Sequence, residues 1–318
     1  MRTARVAVLL FFAVTGSACG GERVATDGGA PAPEAGADGA AWAPLELGQI
    51  GAPVTPGGSF QFAEGPAWDA ARGALLFSDI DADTIFQLRP PESVTVFRAP
   101  SHKSNGLAFD RDGLLLAAEH GSRSVTRTLA DGTIATIADA WGGKRLNSPN
   151  DLVVRSDGTI YFTDPTYGLG STPSELGFTG LYRIDPAGVL RLEAQVDGQP
   201  NGLDFAPGEQ TLYVAATDAN QILKLTVAPS GALSDPRKLA DVQAPDGLAV
   251  DRAGNLYVAA LAGGSGAVVV ITATGETLGA IPLAQHPTNC GFGGADAKTL
   301  YVTARTALVR ISVPIPGR

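Results

Sequence analysis

A chain of 318 residues with a formal net charge of -9 at pH 7 and no run of Lys or Arg repels phosphate backbones, which excludes nucleic acid as a partner. Its 44% hydrophobic residues are enough for a large core, and 40 glycines fit a fold made mostly of tight turns.

The first residues read as an export signal rather than as structure. Arg2 and Arg5 form a basic start, residues 6–14 are apolar but too few to span a bilayer, and Gly16-Ser17-Ala18 places small residues before Cys19. That ending is similar to a bacterial lipobox, so residues 1–18 are expected to be a lipoprotein-type signal peptide. Cys19 would then be acylated and become the mature N-terminus. The expected location is the periplasm or cell envelope, with membrane contact only through the lipid on Cys19. A plain cleaved secretory peptide is the other reading. Residues 19–44 are rich in Ala, Gly, Pro and Asp with almost nothing to bury, the composition of a tether.

From residue 45 to 318 the chain reads as one all-β domain of repeating units. A polar residue followed by a small one and a short apolar run recurs at Glu64, Asn105, Asn150, Asn201, Asp246 and Asn289. The spacing of about 40 to 50 residues, filled with short strands, predicts the blades of a six-bladed β-propeller. In the second unit residues 107–109, 114–118, 124–129 and 133–138 are the predicted strands, with turns at Asp110-Arg111-Asp112-Gly113 and Asp131-Gly132. The third unit repeats this with 152–154, a turn at Ser156-Asp157-Gly158, and 159–163. The fifth has 248–250 and 255–259 around Ala253-Gly254. Tyr257 and Tyr301 recur at matching places as aromatic wedges between blades. Residues 166–180, rich in Gly, Ser, Thr and Pro, form an insertion expected to overhang one face of the disc. The sixth unit has room for about three strands, so residues 45–62 are expected to supply its outer strand and close the ring. Cys290 lies at an apolar strand start and reads as a buried, inert thiol.

An isolated Asn-Gly is a hairpin turn, but here the turn comes several residues later, and six polar residues recur in register. In a propeller these positions converge on one axis. Two carboxylates, Glu64 and Asp246, and four amides offer only oxygen donors. Such a set suits one divalent cation of the Ca²⁺ kind, with Mn²⁺, Mg²⁺ or Zn²⁺ as alternatives. His102, His120 and His286 show no closely spaced zinc-ligand pair.

Residues 143–168, GKRLNSPNDLVVRSDGTIYFTDPTYG, together with Glu64-Gly65-Pro66-Ala67-Trp68, Pro200-Asn201-Gly202, Pro245-Asp246-Gly247 and Thr288-Asn289-Cys290, resemble the gluconolactonase branch of the senescence-marker-protein-30/gluconolactonase/regucalcin-like family. The resemblance spans roughly residues 62–311. It implies a six-bladed propeller with a central metal-binding channel holding one catalytic divalent cation, usually Ca²⁺. By motif match it implies Glu64, Asn150, Asn201 and Asp246 as metal ligands. Asn105 and Asn289 are then expected either to support the metal ligands from behind or to face substrate, and Asn150, with Glu119 and His120 at a strand end, to face substrate. The animal branch has an Arg where this chain has Ser148.

The implied activity is hydrolysis of a sugar lactone by a monomeric enzyme, with water attacking a polarised carbonyl. Asp246 is the candidate base or nucleophile, or a ligand only, and His286 is a candidate proton shuttle. No G-x-S-x-G elbow supports a serine hydrolase. Asp164 would hold a second, structural cation or cap a strand-end turn. Another lactone, an aryl ester or a phosphotriester could use the same site, and a non-catalytic ligand-binding propeller is the remaining reading.

Overall fold

The computed structural model describes residues 42–56, 58–89 and 93–318. The expected signal peptide, Cys19 and nearly all of the tether lie outside the described residues. Among the described residues no helix is long and apolar enough to cross a membrane.

Six antiparallel sheets follow one another along the chain, each a meander from the innermost strand outward. Blade one comprises Ala63–Asp69, Ala74–Asp79, Thr84–Arg89 and Ser93–Arg98. Blade two runs from Ser104–Phe109 to Ile134–Ala138, and blade three from Leu152–Val154 to Leu190–Gln195. Blades four and five start at Pro200–Phe205 and Leu248–Val250. Blade six has three strands, Asn289–Gly293, Thr299–Ala304 and Ala307–Ser312. The innermost strands touch in order around the ring, and Asn289–Gly293 returns to Ala63–Asp69. The sequence did not predict a short hairpin, Ala140–Trp141 with Lys144–Arg145, between blades two and three.

The second strand of each blade is buried on both faces, so it reads as a continuous apolar run rather than an alternation. Successive side chains point to opposite neighbours. Leu75 and Phe77 pack towards blade six, while Leu76 between them packs towards blade two. Tyr161 faces blade four, whereas Ile160 and Phe162 face blade two. The core is therefore six layers between blades. Tyr257 and Tyr301 are wedges as expected, Tyr257 meeting Phe292 edge-on at 5.4 Å and Tyr301 stacking on Trp68 at 5.9 Å. Cys290 is buried, its Sγ donating to the Tyr257 carbonyl at 3.0 Å, and burial pushes the thiol well above its usual range.

The ring closes through the segment before blade one. Gly51 N donates to Ser312 O at 2.8 Å, and Val54 and Arg310 exchange both backbone bonds, which adds the missing outer strand to blade six. The inner edge is stitched as well, by Thr288 Oγ1 donating to Ala63 O at 2.7 Å.

Around the axis the innermost strands come so close that only glycine fits after most ring residues. A Cβ on Gly65 would lie 2.1 Å from the Asn105 carbonyl oxygen, and on Gly247 2.0 Å from Asn289 Oδ1. Gly65 also sits at φ 51. Gly113, in contrast, has φ 74 but open space around it. We therefore expect Gly65→Ala to cost roughly 3 to 5 kcal/mol in urea unfolding, backbone strain and overpacking together. Gly113→Ala should cost about 1 to 2 kcal/mol, the strain alone. Equal costs would contradict close approach as the reason for glycine at the axis.

Candidate metal and active site

The six innermost strands bring Glu64, Asn105, Asn150, Asn201, Asp246 and Asn289 to one end of the axis. Their placement follows from backbone bonds between blades: Gly106 N donates to Asn150 O at 2.7 Å, Gly202 N to Asp246 O at 3.2 Å, and Gly247 N to Thr288 O at 2.8 Å. Hydroxyls at the ends of second strands add to this. Thr163 Oγ1 donates to Asn201 O at 2.8 Å and Thr217 Oγ1 to Pro245 O at 2.7 Å. Residues from all six innermost strands line an axial cavity of about 250 Å³.

Electrostatics dominate this end of the axis. Glu64 is buried, and its carboxyl is held well above the usual range by burial and by the nearby Asp246 and Asp151. Asp246, partly open to the channel, is pushed up to about 8 by burial and by Asp151, against the hydrogen bond from the Asn201 side chain and the nearby Arg305 cation. Asp151 is pushed up to about 7, chiefly by burial. Its Oδ1 accepts from Leu152 N at 2.9 Å, and its Oδ2 from Asn289 Nδ2 at 3.2 Å. Asn289 also bonds Glu64, and its Oδ1 accepts from Cys290 N at 2.7 Å. The Asn289 amide is thus taken up inside the protein, linking two acids, so of its two expected places it takes the supporting one and not the substrate-facing one.

Asn105 and His120 meet, with Asn105 Nδ2 at 3.4 Å from His120 Nε2. Burial and Lys103 lower His120 to about 4, so its ring is neutral at pH 7. Asn105 Oδ1 is buried without a hydrogen-bond partner, an orphaned acceptor in the ring. His286 lies beside Arg305, as Asp246 does; burial and that cation lower its pKa, and its Nε2 is also buried and unpartnered.

Two expectations are corrected. Glu119 does not face the channel: its carboxylate is fully buried and accepts from Arg98 Nη2 at 2.7 Å, Thr126 Oγ1 at 2.7 Å and Ser122 Oγ at 2.6 Å, with His102 Nδ1 at 3.2 Å. An acid at a strand end next to a His looks alike whether it points in or out. Asp164 takes the capping role rather than that of a second cation ligand. Its two oxygens accept from Asn147 N and Ser148 N, each at 2.8 Å.

Three residues to which the sequence did not point, Asp151, Arg305 and Tyr167, also act on the site. Asp151 directly follows Asn150, where four of the other five units carry Gly, and that departure was the available signal. Arg305 is exposed in the turn between the last two strands of blade six, with nothing in the sequence to link it to Asp246. Tyr167 comes from the blade-three insertion, and its hydroxyl faces Thr217, Asp246 and Asn201; burial, the largest cause, pushes it up to about 12, so it remains a donor.

The donor set fits a hard cation. Glu64 and Asp246 are two repelling carboxylates, with neutral amide oxygens around them and one of those oxygens orphaned. Among the described residues no three His, Cys, Asp or Glu side chains cluster at ligand spacing. Any site here therefore depends on the amides Asn150, Asn201 and Asn105.

Residues 62–306 match the family described as SMP-30/Gluconolactonase/LRE-like region. A gluconolactonase of Zymomonas mobilis is 32% identical over 283 residues, covering 79% of this chain and 78% of the relative. A pentonolactonase of Haloferax volcanii is 26% identical, covering 77% and 82%. The solved structure of a gluconolactonase from Xanthomonas campestris superposes with a TM-score of 0.76 at 37% identity, covering 82% of this chain and 89% of that one.

Raised carboxyl pKa values have a defined effect on stability. Glu64, Asp151 and Asp246 hold protons more tightly folded than unfolded. Their contribution is complete below the unfolded carboxylate range and is lost as pH rises through about 7 to 8. A cation bound among them would replace the protons. The Tm difference between Ca²⁺-supplied and chelated protein should therefore widen from about pH 5 to about pH 9. A gap that stays constant across that range would contradict a cation site at these acids.

Proposed function

From a chain that belongs to the SMP-30/gluconolactonase/LRE-like family, we propose an exported, metal-dependent hydrolase of sugar lactones. The observation that carries this reading is the meeting of Glu64 and Asp246 with the Asn201 amide at one end of the axial channel. The similarity to a gluconolactonase and a pentonolactonase supports a lactone as substrate.

Glu64, Asn150, Asn201 and Asp246 would hold one divalent cation, most suitably Ca²⁺, because every donor is oxygen. Such a cation supplies Lewis-acid polarisation of the lactone carbonyl. The protein's own groups do the rest. Asn201 donates to the Asp246 carboxylate and orients it. Asp246, with one oxygen free for a proton, accepts one from the attacking water. His286 is neutral at pH 7 and has an unpartnered ring nitrogen beside the same Arg305, which makes it the second group able to carry that proton away. Asn105, held by His120, has an oxygen without a partner, able to accept from a substrate hydroxyl. The lactone ring opens with one water consumed, giving a hydroxy acid.

Chelated and metal-restored protein, assayed by acid release on D-glucono-1,5-lactone and on pentonolactones, tests the reading. No turnover on any lactone with metal restored would leave the non-catalytic propeller. Two substitutions separate ligand from base. Asp246→Asn should lower turnover by at least about 10²-fold, and excess Ca²⁺ should not restore it. Asn201→Ala removes a neutral donor, so saturating Ca²⁺ should return part of the activity. Near-parental turnover of Asp246→Asn in high Ca²⁺ would make Asp246 a ligand only.

Export is part of the same proposal, with Cys19 as the acylated first residue of a periplasmic or cell-envelope lipoprotein. Mass spectrometry of the chain matured in a Gram-negative host should find lipid on Cys19. An unmodified terminus further along would overturn the anchor while leaving the lactonase reading intact.

A further inference from the structure

The insertion between the second and third strands of blade three is pinned down on the channel mouth. Ser148 Oγ donates to Pro165 O at 2.7 Å and accepts from Gly168 N at 3.0 Å. Thr166 N donates to Gln199 Oε1, and Gln199 Nε2 returns a bond to Thr166 Oγ1, both at 2.9 Å. Gly168 presses on His120, so closely that a Cβ there would lie 2.7 Å from the His120 ring carbon Cγ. Between these anchors the short 3-10 turn Tyr167–Leu169 has its Leu buried and its Tyr outside.

Tyr167 remains 42% exposed. The other large apolar side chains that are exposed among the described residues, Val54, Val96, Leu129, Ile134 and Val189, lie on outer strands and turns. Tyr167 alone among them is aromatic, and it alone stands at the channel mouth, with its hydroxyl facing Thr217, Asn201 and Asp246. A rigid anchor holding an uncovered aromatic over a polar site is the arrangement of a binding wall. Tyrosine presents a flat apolar body and one hydroxyl, at little conformational cost. A ring-shaped polyol has the matching surfaces: C–H faces that are apolar and a rim of hydroxyls.

We propose that Tyr167 is a substrate-binding residue of this site, its ring the platform for the C–H face of a cyclic polyol and its hydroxyl a donor to the ligand's rim. The proposal deepens the sugar-lactone reading, on which it rests, by assigning recognition of the sugar ring. It also gives Ser148 a use. Where the animal branch of the family has an Arg, this chain has a hydroxyl that clamps the Tyr167 segment at Pro165 and Gly168.

The probe is 1,5-anhydroglucitol, which has the ring of a six-membered sugar lactone but no carbonyl, titrated calorimetrically into the Ca²⁺-supplied parent, Tyr167→Ala and Tyr167→Phe. Tyr167→Ala should bind at least about tenfold more weakly, and Tyr167→Phe, which keeps the ring, should fall between. With D-glucono-1,5-lactone, Tyr167→Ala should raise KM by a similar factor and change kcat less. With δ-valerolactone, which lacks the hydroxyl rim, Tyr167→Phe should match the parent. Equal affinity of parent and Tyr167→Ala for the polyol, or no binding by the parent, would overturn the proposal. Binding that Tyr167→Ala loses, in a protein that opens no lactone, would keep Tyr167 as the sugar platform and sink the lactonase reading instead.

Discussion

Everything at the ring end of this propeller depends on how closely six strands can approach one axis. At that distance a side chain on one blade occupies the space that a Cβ would need on its neighbour. The Asn289 side chain lies where a Cβ of Gly247 would be, and the Asp151 carboxylate lies 2.4 Å from where a Cβ of Gly106 would be. The glycines after the ring residues are therefore sockets for the next blade's polar groups. Blades three and six replace that glycine by Asp151 and Cys290. The two substitutions break the sixfold equivalence, and one of them adds an acid.

That acid changes the electrostatics of the axis. Glu64, Asp246 and Asp151 lie within electrostatic reach in a poorly solvated place, and each is driven towards its protonated form. Arg305 is the cation beside Asp246 and His286, and that side chain is exposed in a turn. At the other end of the cavity Arg318 is bound to Asp204, with Oδ1 at 2.7 Å from Nε, and lies over the Phe205 ring. Its charge is spent there. The repulsion that these acids meet on ionising is what a bound divalent ion would relieve.

Much of this was legible along the chain. The ring residues, the turn glycines, the wedging Tyr257 and Tyr301, and the closure of blade six by the segment before blade one all follow from a repeat in which every unit must bury two faces. The insertion at residues 166–180 was visible as a composition change. What it does was not, because Tyr167 reaches Asn201 and Thr217 of blade four only after Ser148 and Gln199 have fixed its path. Glu119 shows the converse. Its sequence setting, beside His120 at a strand end, suggested a group facing the substrate, yet Arg98, Ser122 and Thr126 draw the carboxylate inward.

The sequence by itself determined the six-bladed architecture, the oxygen-only ring and the family, because each rests on periodic spacing or contiguous motifs, which a linear chain carries in full. Only the tertiary structure decided where the Asn289 amide points, that Asp151 acts on Glu64 and Asp246, and that Arg305 and Tyr167 both approach Asp246. Those facts depend on distances between residues from different blades, far apart in the chain, and on the burial that follows. Hydrogen-bond direction and desolvation arise only when the blades close, and they set the chemistry of the site.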